Sequence, residues 1–198
     1  MKTLIVLLVV LFVAASISSL ITVLVLRRWT KAVLTGGGSR VKPIGAGEAP
    51  DYFDGKASFV VTTEREFPYS PDLVWAALND DGLFSWIPFV DGVRYDSAMR
   101  GIGATRTFDG KLFATAERVV GFEAGQRITV TGDRVSIPIV VKSFAQEYTV
   151  TGNDNGGTKL TWTIAAHPRF GGLIPLRLFA PFVRPLAKAG IRGLESRI

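Results

Sequence analysis

From Thr3 to Leu26 the chain runs for 24 residues without a charge, TLIVLLVVLFVAASISSLITVLVL, between Lys2 and the basic sequence RRWTK. No other stretch limits the fold as much, because a helix made from it is apolar all round and has no face to give to water. At about 1.5 Å per residue it reaches roughly 36 Å, more than the roughly 30 Å of hydrocarbon in a bilayer, so it spans with a modest tilt. Residues 1–30 are read as a transmembrane anchor with a basic flank. A cleavable signal peptide is the competing reading, since VAAS offers small residues to a peptidase, although its apolar core is normally about 7 to 15 residues long. Lys2 precedes the run, whereas Arg27, Arg28, Lys31, Arg40 and Lys42 follow it. That bias places the following domain in the cytoplasm, with Trp29 at headgroup level.

The net charge of +6 is unevenly spread. Residues 1–42 hold six basic groups and no acid, residues 43–168 hold 11 basic and 16 acidic groups, and residues 169–198 hold six basic groups against Glu195. An acidic body with basic ends argues against a nucleic-acid protein and suits ends lying near an anionic leaflet. With no cysteine and only His167, the chain lacks thiolate and clustered-histidine metal sites, and no metal or cofactor is expected.

Residues 31–56, rich in Gly and Pro and without a hydrophobic period, read as a flexible spacer, and residues 57–198 as the folded domain. ASFVVTTEREF predicts a strand with Phe59, Val61, Thr63 and Phe67 on one face. SPDLVWAALNDD predicts a short helix, with Ser70 as N-cap, Pro71 at its first position and a Leu73, Ala76, Ala77 stripe. DGLFSWI, 81–87, predicts a second. The period then changes to two, and GVRYDSAM, GATRTF, LFATAERVVGF, QRITVTG, VVKSFAQEYTVTG and TKLTWTIAAH make six short-looped strands of an antiparallel meander. The last segment, 173–198, predicts a long amphipathic helix with Phe182, Leu186, Gly190, Leu194 and Ile198 on its apolar face, bent or delayed by Pro175, Pro181 and Pro185.

GIGATRTFDG, 101–110, has the look of a phosphate loop. Such a loop needs a third glycine and a following helix, but Arg106 stands at the glycine position and the residues after it alternate as a strand. Gly101 and Gly103 are therefore a bend between strands.

The order strand, short helices, six strands, long helix is the helix-grip arrangement, an α+β fold. SPDLVWAALNDDGLFSWIPFVDGV resembles the opening helices of the SRPBCC (START/pollen-allergen-like) superfamily, in particular its polyketide cyclase/dehydrase branch; GIGATRTF, AERVVGFEAGQRITV and GGTKLTW resemble that branch's later strands. The resemblance implies a curved antiparallel sheet of about seven strands around the C-terminal helix, enclosing a cavity for a hydrophobic ligand. The superfamily has no universal catalytic motif, so the fold does not supply the function.

Arg106 and Glu117 have two open placements: inside the cavity in phase with Phe108 and Phe113, as a pair or as partners of a ligand's carboxylate or carbonyl, or exposed on the outer face. Tyr148 and Trp162 are either core aromatics or ligand contacts. Arg106, Phe108, Phe113, Glu117, Tyr148 and Trp162 form the expected ligand-binding set. His167 alternates out of phase with Leu160, Trp162, Ile164 and Ala166 and so faces away from the interior. Asp80 and Asp81, as neighbours, share no helix face and read as a solvated helix end. The expected function is membrane-tethered binding or transfer of a lipid, isoprenoid or polyketide-like molecule. The alternatives are a cyclase or dehydratase using Tyr148, Arg106 or Glu117, and a protein-interaction module with a vestigial cavity.

Overall fold

The computed structural model describes residues 2–139, 141–169 and 180–198. Helix α1 (Lys2–Leu34) carries the apolar run. A two-residue strand β1 (Ser39–Arg40) follows, then a helical turn α2 (Ala49–Asp51), strand β2 (Phe59–Phe67) and helix α3 (Pro71–Leu78). The meander comprises β3 (Val90–Tyr95), β4 (Thr105–Gly110), β5 (Phe113–Glu123), β6 (Arg127–Val135), β7 (Val141–Gly152) and β8 (Thr158–Pro168), and α4 (Ala180–Gly193) closes the chain. All six predicted strands of the meander are present. The sheet is antiparallel in the order β2-β8-β7-β6-β5-β4-β3. It curls into a half-barrel, with α3 and α4 on its concave side.

Three local readings shift. In α3 the buried stripe is Val74, Ala77 and Leu78, while Leu73 and Ala76 are exposed. Both triplets have helical spacing, but the observed one buries the greater apolar volume. Residues 81–87 form successive turns rather than a helix, because Gly82 and Phe84 adopt left-handed backbone (φ 88° and 72°), which ends a right-handed helix. In α4 the inward face is Ala187, Gly190 and Ile191, continued by Leu194 in the 3-10 turn (Leu194–Arg197) that follows it, and Leu186 is 63% exposed. Pro185 lies inside α4; residues 173–179 of the predicted helix, with Pro175, and the Phe182 side chain lie outside the described residues. Gly103, at φ 87°, makes the expected bend before β4.

The predicted flexible spacer is instead built into the domain. β6 pairs with β7 only over Arg127–Thr131, and residues 39–44 wedge between their diverging ends. Ser39 and Arg40 pair with Val135 and Arg134, Val41 N donates to the Asp133 carbonyl at 3.0 Å, and Lys42 N to that of Lys142 at 2.8 Å. Val41 packs inside with Phe59, Val61, Val135, Phe144 and Ala166. Farther on, Ile44, Ala49, Tyr52 and Ala57 cover Ala145 and Ala165 on the convex face, where Tyr52 Oη donates to the Ser143 carbonyl at 3.0 Å. Gly and Pro mark a chain that turns often here, not one that floats free. α1 docks as well: Thr30 and Val33 are buried where its last turns lie against β4 and β5.

Candidate functional site

Register assembles the interior. Directly opposed residues in an antiparallel sheet share a face, and Tyr95 opposes Arg106, which opposes Glu117. Tyr148 opposes Trp162, so both pairs project into the concave side. This settles the open placements: Arg106 is 1% and Glu117 2% exposed, and the outer-face alternative is excluded.

The buried polar groups form one network. Arg106 Nε donates to Glu117 Oε2 at 2.8 Å. Glu117 Oε1 accepts from Thr115 Oγ1 and Gln146 Nε2, both at 2.9 Å. Gln146 Oε1 accepts from Tyr148 Oη at 2.9 Å and from Trp162 Nε1 at 3.1 Å. The Arg106 guanidinium lies 5.6 Å from the centre of the Tyr148 ring. Burial opposes the charge on Arg106, but the Glu117 carboxylate and its hydrogen bond outweigh that and hold the guanidinium above its ordinary pKa. Burial likewise pushes the Tyr148 phenol up, against the pull of Arg106. Tyr95 Oη is buried and has no hydrogen-bond partner among the described residues.

An aromatic wall flanks the network. Trp162 is stacked between Tyr148 (5.4 Å, 12°) and Phe84 (4.9 Å, 24°), and the series continues through Phe108 to Phe113 at 6.4 Å steps. Gly190 lets α4 approach this wall: a Cβ there would lie 3.2 Å from Phe84 and 3.3 Å from Trp162. Trp86 Nε1 donates to the Gly190 carbonyl at 3.0 Å. Phe108, Gln146 and Ile164 sit on the concave face yet are only half-buried, with Phe108 and Ile164 packed against the core. The result is an interior with aromatic sides and a fixed charge pair, bordered by three partly solvent-accessible residues.

Of the predicted site residues, Arg106, Glu117, Tyr148 and Trp162 meet in the network, while Phe108 and Phe113 lead from it toward the rim, where Phe113 is 36% exposed. Sequence reading did not nominate Gln146, Thr115, Tyr95, Phe84 or Trp86. Gln146 and Thr115 were within reach, each lying two residues from a nominated one and so on the same face. Phe84 and Trp86 depend on left-handed turns that the predicted helix concealed. His167 lies on the convex side, as its phase implies, with Nδ1 2.9 Å from Ser58 Oγ. Asp80 and Asp81 are solvated and pair with Arg197 and Arg100. Among the described residues no three His, Cys, Asp or Glu side chains gather as a metal site.

Fold and interior together define a helix-grip protein of the SRPBCC superfamily. More particularly, the chain belongs to the family described as polyketide cyclase / dehydrase and lipid transport, which it matches over residues 58–198. The structure is similar to that of Ara h 8.0201 (16% identity, TM-score 0.54, covering 70% of this chain and 97% of that one). It is also similar to TTHA0849 from Thermus thermophilus (19%, 0.57, 70% and 96%) and to a START superfamily protein from Mycobacterium smegmatis (14%, 0.55, 69% and 97%). At these identities the likeness is one of fold. No curated protein sequence matches.

Proposed function

We propose that this domain, tethered to a membrane by α1 and lying on its cytoplasmic side, binds a hydrophobic small molecule of lipid, isoprenoid or polyketide type between the sheet and α4. The observation that carries this reading is a concave face on which Phe108, Gln146 and Ile164 stay partly solvent-accessible beside a buried Arg106–Glu117 pair. An apolar guest gains about 0.8 kcal/mol per buried CH2, so roughly ten carbons contribute about 8 kcal/mol before association costs are subtracted. Arg106 and Tyr95 Oη would orient a carbonyl or carboxylate oxygen of that guest, while Phe84, Phe108, Phe113, Tyr148 and Trp162 line its apolar part. Binding is favoured over turnover because the Tyr148 phenol already donates to Gln146 and is raised by burial, which leaves it a poor proton donor near neutrality.

Helix α1 is long and apolar enough to cross a bilayer, a test that a signal sequence also passes. Retention is supported by its docked last turns and by residues 39–44 in the sheet. The function is tested by native mass spectrometry of the full-length chain, followed by solvent extraction. Wild type is expected to carry one equivalent of an apolar compound, and Ile164→Trp, which fills the accessible interior, to carry none while keeping its far-UV circular dichroism. An empty wild-type chain, or one whose cargo survives Ile164→Trp, refutes the proposal.

A further inference from the structure

The end of the half-barrel where β4 turns into β5 and β6 leads to β7 carries an unusual rim. Phe89 is 74% exposed, Ile139 51%, Leu112 38% and Phe113 36%. Phe89 is also held at φ 67°, a conformation that costs a bulky residue of order 1–3 kcal/mol and is kept where function rewards it. Its carbonyl accepts from Lys111 N at 2.8 Å, which fixes Phe89 beside the Leu112–Phe113 hairpin tip. Two unfavourable choices, strain and an aromatic side chain left in water, thus coincide at one residue.

The same end joins the anchor. Val33 of α1 and the Val135 carbonyl both lie so close to Gly38 that a Cβ there would meet them, and Ser136 N donates to the Ala114 carbonyl at 3.0 Å. Val33 is seven residues past Leu26, the end of the uncharged run, or about 10 Å along the helix. Exposed basic groups surround this end: Arg27, Arg28, Lys31, Arg40, Lys42, Lys111, Lys142 and Arg169. Acidic groups lie at this end too: the exposed Asp91, a half-buried Asp133 3.8 Å from Arg134, a buried Asp109 paired with Arg94, and, in the segment covering the start of β7, the exposed Glu48, Asp54 and Asp51, the last paired with Lys56. Each lysine or arginine near an anionic leaflet contributes about 1 kcal/mol of attraction.

We propose that Phe89, Leu112, Phe113 and Ile139 form a docking rim that seats in the interface of an anionic bilayer, the one that α1 crosses. The inference rests on the tether reading above and adds to it that this end of the barrel faces lipid, so that an apolar guest passes between bilayer and interior without crossing bulk water.

The absence of cysteine makes the test direct. The full-length chain carrying a single Leu112→Cys, Ile139→Cys, Gln126→Cys, Asn155→Cys or Val9→Cys is labelled with an environment-sensitive fluorophore and reconstituted in phosphatidylcholine/phosphatidylglycerol vesicles. Labels at 112 and 139 are expected to shift to the blue and to be quenched by spin-labelled lipids, and to lose much of that quenching in vesicles without phosphatidylglycerol. Labels at 126 and 155, in the hairpins at the opposite end, are expected to read as aqueous. Rim labels that stay aqueous while Val9→Cys is quenched overturn the docking rim and leave the tether standing. Rim labels that shift without lipid quenching, because protein rather than lipid covers them, also overturn it. An unquenched label at position 9 overturns the tether reading, and the rim proposal with it.

Discussion

Replacing Glu117 by Gln keeps the volume of the side chain but removes the carboxylate that meets Arg106. The guanidinium, 1% exposed, would remain charged with no counter-charge in hydrogen-bond contact. Breaking a buried pair from one side costs about 3–5 kcal/mol. For a chain of this size each kcal/mol moves Tm by about 2–4 °C, so Glu117→Gln is expected to lower Tm by about 6–20 °C. Arg106→Met should cost less, about 2–3 kcal/mol, because Glu117 keeps its donors Thr115 and Gln146. The double variant carries no buried charge here and should lie within about 2 kcal/mol of wild type, which gives a coupling of at least about 3 kcal/mol. Thermal and urea unfolding of the full-length chain in detergent, followed by tryptophan fluorescence, measures all four corners of the cycle. Additive single effects, or a Glu117→Gln cost below about 1 kcal/mol, would mean that water solvates Arg106 in the folded chain and would refute the buried-pair argument.

Two further outcomes follow from the same structure. Val41→Asp puts a carboxylate among Phe59, Val61, Val135 and Phe144 and should destabilise the domain by about 3 kcal/mol or more; an unchanged urea midpoint would show that residues 39–44 are not part of the wall. Burial raises the pKa of the Tyr52 and Tyr148 phenols, so their contribution is fully present below the unfolded value of about 10 and is lost as pH rises from there toward the folded values. The urea midpoint should therefore fall between pH 10 and 11 and fall less in Tyr52→Phe, whereas a flat midpoint across that range would contradict burial of both hydroxyls.

The meander was legible because a half-buried sheet writes its inner face into every second residue. Tyr148 and Trp162 could be assigned to one face from their strand positions alone, since an alternating strand permits only two phases. The same rule left Arg106 and Glu117 undecided, because a charged residue in an alternating strand normally marks the solvent side and here marks the interior. Helical stripes carry less information. In α3 the 73/76/77 and 74/77/78 readings have equal spacing, and only the packing partners choose between them. The wedge at residues 39–44 was invisible for a different reason: it exists because β6 and β7 part after Thr131, and no local pattern in VKPIG records a gap elsewhere in the chain.

That wedge bears on what the interior is for. A buried ion pair is a weak means of stability, since well-packed apolar residues of similar volume often do as well or better. A sheet selected for stability alone would place Leu and Val where Arg106, Glu117 and Gln146 stand. The network is instead set on the concave face of a sheet whose wall is completed, through Val41, by the segment that follows α1. Loss of Val41 from that wall would loosen the Phe144 and Val135 contacts and leave the polar network, several residues farther in, intact. On the proposed reading, orientation and admission of a guest would fall to separate parts of the fold: Arg106, held by Glu117, and Tyr95 Oη would fix where a polar oxygen points, and the rim at the β4–β5 end would fix which side of the barrel the guest enters.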